Sequence, residues 1–272
     1  MLNPATGKRW KLYVGIPSIG SVSDFQPHQL RKLEALYKDE IEFVYPTQLC
    51  QRIMHDAARN GIVEDFLATD CDILWQLDSD VTPPDHVLDL VSRYGATWEA
   101  AGAAYPVFMS QPGQTFRQIV FTVYKGINPE KTSLAPAPCP QEGTDWVDGL
   151  ATGCLLLKRS VFEKLEKPYF EFKYDPITRA PIQGEDLGFC LKLAKLDIKF
   201  FTDYSMVCKH FKNNICLLEM NNYCLDFANK SVTNYDATVR GQVKELSERL
   251  LRLSRENKEL KEKLQLRSML KI

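Results

Sequence analysis

Several things are scarce in this sequence. No apolar run approaches the roughly 20 residues that a membrane-spanning helix needs, and the N-terminal MLNPATGKRWKLYVGIP lacks the long apolar core of a signal peptide. Lys and Arg total 34 against 35 Asp and Glu, so no global field favours nucleic acid or an anionic membrane, although a local basic groove stays open. The 8 cysteines form no CxxC pair and sit mostly in apolar contexts, which reads as reduced core thiols in a cytosolic protein rather than a disulfide or zinc framework. Histidines number 4, and no internal repeat is visible. What is present is ordinary globular composition, with 44% hydrophobic and 25% charged residues in 272, enough for one large core or one domain plus an appendage.

Apolar runs alternate with helical spacing through the first half. KLYVGIP, IEFVYP and DILWQL read as strands, the last too continuously apolar to be half exposed. Leu30, Leu33 and Leu36 have helical spacing, Gln51 to Leu67 reads as a helix with a break near Asn60-Gly61, and a helix is expected from Pro83-Pro84 to Gly95. This order predicts an α/β domain with a mainly parallel central sheet. Further on, AAGAAYPVF and RQIVFTVYKG read as strands, and GLATGCLLLKRSVFEKL as a strand entering a helix with Ser160 and Glu163 as a capping box. YDPITRAPIQG is rich in turn residues and could move, and it leads to a helix with an apolar stripe at Leu187, Cys190, Leu191 and Ala194. From about Val239 the composition shifts to Leu, Glu, Lys and Arg.

The third strand ends in LDSD. In open parallel sheets, ligands bind outside the carboxyl ends of strands. In extended chain the i, i+2 spacing would turn Asp78 and Asp80 to one side, a pair suited to a hard divalent cation that also meets substrate phosphates. His210, at the end of another apolar run, fits as a third ligand for a manganese-like ion. Gly149 and Gly153 leave room for a close backbone approach.

LDSD after a strand, TGCLLLKRSVFEKL and GEDLGFCLKLAKLDIKFFTDYSMVCKH occur in an order that resembles GT-A glycosyltransferases of the family-2-like group, including bacteriophage forms, from about Lys11 to Phe211. The resemblance implies a GT-A, Rossmann-like nucleotide-diphospho-sugar transferase domain over 1–235, with a donor-binding half at about 1–115 and an acceptor half at 116–235. It implies a metal-dependent transfer of a sugar from a nucleotide-diphosphate donor, with Mn2+ or Mg2+ bridging the aspartates and the diphosphate. By resemblance, Asp80 is the principal metal ligand, Asp78 contacts the donor ribose or the metal shell, and His210 completes the ligands. Arg59 faces the nucleotide and pairs with phosphate, Pro17 and Ser18 border base and ribose, and Asp186 is the base in inverting relatives. Glu185 is the alternative base or a contact to a sugar hydroxyl. A phage-type enzyme would work in the host cytoplasm on a protein, a glycan or modified DNA. Two other classes stay open: a sugar-phosphate nucleotidyltransferase, disfavoured because GIPSIGSVSD carries no Lys or Arg, and a non-catalytic sugar-binding or scaffolding protein.

Residues 236–272 are expected to form a coiled-coil helix. Val243, Leu250, Asn257 and Leu264 fall at a, and Leu246, Leu253 and Leu260 at d. Asn257 at a, with Glu256 and Lys261 able to attract across the seam, favours a parallel homodimer, with a trimer as alternative.

Overall fold

The computed structural model describes residues 2–17, 25–46, 54–110, 117–126, 137, 142–212 and 215–216. All lie in the first of two units into which the chain divides, Met1–Asn221. Ser18 and the coiled-coil segment lie outside the described residues. In chain order the elements begin with β1 (Trp10–Gly15), α1 (Phe25–Tyr37), β2 (Ile41–Val44), α2 (His55–Leu67), β3 (Ile73–Leu77), β4 (Val81–Thr82) and α3 (Asp89–Ser92). They continue with β5 (Ala100–Gly102), β6 (Pro106–Ser110), β7 (Arg117–Phe121), β8 (Val123–Tyr124), β9 (Thr144–Val147), β10 (Gly149–Leu150), β11 (Cys154–Lys158) and α4 (Arg159–Glu163). The last are β12 (Lys173–Tyr174), β13 (Pro181–Gln183), α5 (Glu185–Ala194), β14 (Phe200–Asp203), β15 (Lys209–Lys212) and β16 (Ile215–Cys216).

The α/β architecture expected of a GT-A-type domain is present. A 7-stranded sheet has the order β2-β1-β3-β11-β5-β14-β9. Strands β2, β1, β3, β5 and β14 share one direction, and β11 and β9 run against them. β3 is interior, with β1 parallel on one side and β11 antiparallel on the other. Period-two alternation divides the apolar residues between two cores. Leu12, Val14, Ile73, Trp75, Leu77 and Leu156 join the core that includes Leu30 and Leu33 of α1. Tyr13, Leu74, Leu155 and Leu157 join the core that includes Ile62, Val63 and Phe66 of α2 and Phe189, Cys190 and Leu193 of α5. Helices therefore cover both faces, which is why β3 is buried throughout.

Several local expectations are corrected. Helix α2 runs unbroken through Asn60-Gly61. The Asn60 amide nitrogen donates to Asp56 O and Phe170 O, and its Oδ1 accepts from the N–H of Tyr169 and Phe170, so the polar residue ties the helix to a distant loop instead of ending it. After Pro84 the chain makes i, i+3 turns, with Val87 N–H to Pro84 O and Leu90 N–H to Val87 O, and only Asp89–Ser92 is α-helical. AAGAAYPVF splits into β5 and β6, because the Ala103 N–H bonds Cys154 O while Ala104 O accepts from Cys208 and Tyr105 O from Thr122. Ser160 lies inside α4, whose N-cap is Lys158 without a side-chain cap. The α5 stripe that meets the core is Phe189, Cys190 and Leu193, and Leu187 is only half-buried. YDPITRAPIQG forms the antiparallel β12–β13 hairpin.

Candidate functional site

The alternation that buries Leu74 against α2 brings Gln76 and then Asp78 to the same face at the carboxyl end of β3. Arg59, in α2 and 2% exposed, meets them there. Its Nη1 donates to Gln76 Oε1 at 3.2 Å, and Nη2 donates to the Asp78 oxygens at 2.9 and 3.2 Å. Its Nε donates to Glu185 Oε1 at 3.4 Å from the start of α5. Burial pushes the guanidinium toward losing its proton, but Asp78 and Glu185 outweigh it and hold Arg59 above its ordinary range. The Gln76 Nε2 of this network is buried with no hydrogen-bond partner, a cost accepted where Oε1 is held by Arg59.

Asp78 and Asp80 sit in one turn. β3 ends at Leu77, and the Val81 N–H donates to Asp78 O at 3.0 Å, closing a turn over residues 78–81. With the chain no longer extended, the two carboxylates engage different partners. Asp80 Oδ2 lies 3.3 Å from His210 Nε2. His210 sits on β15, in register with Val81 of β4, and the adjacent Phe211 N–H donates to Asp80 O at 2.9 Å. A strand pairing thus sets the Asp80–His210 distance. His210 Nδ1 is 2.7 Å from Pro106 O, and because a carbonyl only accepts, Nδ1 carries the proton. Nε2 is therefore the ring nitrogen that faces Asp80 and is left to bind a metal. The His210 side chain is 6% exposed while that of Asp80 is 37% exposed, so the carboxylate reaches solvent.

Tyr105 stands between these groups. Its ring meets His210 edge-on with centroids 5.1 Å apart, and its hydroxyl oxygen accepts the Gly153 N–H at 3.1 Å. Gly153 O in turn accepts the Asp78 N–H at 2.9 Å, joining the β10–β11 link to the aspartate turn. A Cβ at position 153 would lie 2.6 Å from the Tyr105 ring, so only glycine allows this approach. Burial, then the charges of Asp78 and Asp186, push the Tyr105 hydroxyl far up, which keeps it neutral. Burial and Asp186 do the same to Tyr124. Asp186 is half-buried in the first turn of α5, where its Oδ1 accepts the Leu187 N–H at 2.7 Å.

Of the residues singled out in the sequence, Asp78, Asp80, His210, Gly153, Glu185 and Arg59 are joined by these contacts, and Asp186 adds its charge beside Tyr105. Pro17 is buried just beyond β1, and Ser18 lies outside the described residues. Arg59 is buried between two carboxylates, Asp78 and Glu185, and the Asp80 carboxylate lies beside His210. Among the described residues, no group of three or more His, Cys, Asp or Glu side chains is arranged to hold an ion. Tyr105 and Gln76 had no signal in the sequence beyond a Tyr-Pro step and one polar residue in an apolar strand.

No protein-family model and no curated protein matches the sequence. Among solved structures, the chain is similar to A197 from STIV at 19% identity, covering 75% of this chain and 87% of that one with a TM-score of 0.46. It is also similar to GalNAc-T7 with UDP, GalNAc and Mn2+ at 12% identity, covering 76% of this chain and 44% of that one with a TM-score of 0.42. Within the described residues, no helix is long and apolar enough to cross a membrane.

Proposed function

We propose that this protein is a glycosyltransferase of the GT-A, family-2-like kind, moving a sugar from a nucleotide-diphosphate donor to an acceptor hydroxyl. The observation that carries the reading is the half-exposed Asp80 carboxylate at the exit of a buried strand, with the Nε2 of an oriented His210 at 3.3 Å. One carboxylate and one imidazole suit Mn2+ or Mg2+ when waters and substrate phosphates fill the remaining positions. A cation held by Asp80 and His210 would supply Lewis-acid stabilisation of the charge that develops on the departing diphosphate.

The chain's own residues do the rest. Pro17 and Ser18 border the nucleotide, and Gly153 presents its backbone beside the sugar. Arg59 neutralises Asp78 and Glu185, so the DSD turn and the start of α5 keep a fixed spacing. This makes Glu185 a positioning residue and leaves Asp186 as the group that takes the acceptor's proton. The acceptor is a protein, glycan or modified DNA, and residues 236–272 pair two copies through a coiled coil. Asp186→Asn keeps the shape but cannot accept a proton, so donor affinity should stay within twofold while transfer falls roughly 100-fold. Transfer at the wild-type rate would remove Asp186 as base and leave a retaining displacement, which needs none.

A further inference from the structure

A cavity of about 120 Å3 lies between α5 and the β12–β13 hairpin. Its lining includes Lys173, Lys192, Lys195, Glu171, Gln183 and Gly188. Gly188 and Lys192 of α5 and its C-cap residue Lys195 follow one another at helical spacing, and at 100° per residue they fall on the side of the helix away from Asp186. The cavity is therefore separate from the site around Asp80.

Its chemistry is one-sided. Three ammonium groups face one carboxylate, and among the described residues none of the three forms an ion pair. The Lys192 Nζ donates to the Pro168 carbonyl. Burial, and then the neighbouring Lys173 and Lys195 charges, hold it below the ordinary lysine range against the pull of Glu171. Lysines crowded in this way repel each other unless an anion sits among them.

The floor of the cavity is the second observation. Gln183 is 5% exposed, yet its side-chain amide makes no hydrogen bond to any described residue. The amide is nonetheless open to the cavity it lines, where a ligand can reach it. A Cβ at position 188 would lie 2.6 Å from Gln183 Nε2, so the amide can rest where it does only because residue 188 is glycine. The amide donor, the glycine floor and the lysine rim together form a cradle for an acceptor-rich anion. The volume holds a group of several heavy atoms, since a single water needs only about 10–15 Å3 by the same measure.

We infer that this cavity binds a phosphate-class oxyanion, either free or as the phosphoryl end of a monoester, through Lys173, Lys192, Lys195 and the Gln183 amide. Glu171 at the rim adds selectivity: it repels a second anionic group and accepts from a hydroxyl, which favours a phosphomonoester of a polyol over inorganic phosphate.

The test uses the full chain, titrated calorimetrically with inorganic phosphate and separately with glycerol phosphate at constant ionic strength set by chloride. Saturable one-site binding is expected. Lys173→Gln combined with Lys195→Gln, both exposed and safe for folding, should weaken it at least roughly tenfold. Hydrogen exchange should slow with ligand across 183–195 in the wild type alone. Tighter binding of glycerol phosphate would identify the monoester as the source, and equal affinity would identify free phosphate. Non-saturable uptake, unchanged affinity in the double variant, or protection confined to 78–82 would overturn the assignment.

Discussion

Replacing Arg59 by Met isolates what the buried cation does. Methionine fills much of the same volume with no charge. The Asp78 and Glu185 side chains, 22% and 11% exposed, would then lose the guanidinium they share. Removing one partner from a buried ion pair costs about 3–5 kcal/mol, because the remaining charge stays desolvated. Against a typical domain stability of about 5–15 kcal/mol, this should move the urea midpoint well below the wild-type value at pH 7. Adding Glu185→Gln to the Met variant removes one of the stranded charges. The pair should therefore be less destabilised than the sum of the single changes, by about 1–3 kcal/mol. Both quantities come from urea unfolding followed by circular dichroism. A Met variant within about 1 kcal/mol of wild type, with strictly additive singles, would refute a structural Arg59. If that variant instead lost donor affinity alone, Arg59 would be a phosphate ligand, as first expected from the sequence.

Two further outcomes follow from other parts of the molecule. A hydrogen bond from Lys125 holds the Asp145 carboxyl below its ordinary 3.8, and those from the Tyr204 hydroxyl and the Trp146 N–H add to it. A lowered carboxylate contributes stability above its unfolded value, lost as pH falls through the lower folded value. Asp145→Asn should therefore cost up to about 1 kcal/mol at pH 7 and progressively less below about pH 3.8, in urea titrations at each pH; a penalty that grew toward acid would contradict the assignment. Ending the chain at about Ala237 should convert dimers to monomers that still bind donor; light scattering showing full-length monomers at micromolar concentration would contradict the coiled coil.

The sequence reveals much of the frame and the acidic turn at the exit of β3. Trp10–Gly15 and Ile73–Leu77 are legible because a strand buried on both faces has to be apolar at nearly every position. The acidic exit of β3 stands out for the same reason, since charge appears where burial stops. Arg59 does not stand out. Its partner Glu185 is 126 residues away, and no local pattern marks one helical arginine as buried. The divergence of Asp78 and Asp80 is likewise hidden, because it depends on a turn closed by the Val81 N–H rather than on residue type. Tertiary hydrogen bonds likewise cut the expected strand at Ala103–Tyr105, which its own residues would have continued.

The central claim is that Asp80 and His210 hold a divalent cation for a nucleotide-sugar diphosphate. The direct measurement is calorimetric binding of a panel of UDP-, GDP- and CDP-sugars to the full chain, with Mn2+ and with chelator, for the wild type and Asp80→Ala. The account predicts that at least one donor binds in a Mn2+-dependent way. It also predicts that Asp80→Ala, whose carboxylate lies outside the core, folds normally and abolishes that dependence, while His210→Ala only weakens it. Donor binding of equal affinity with and without Mn2+, unchanged in Asp80→Ala, would contradict it.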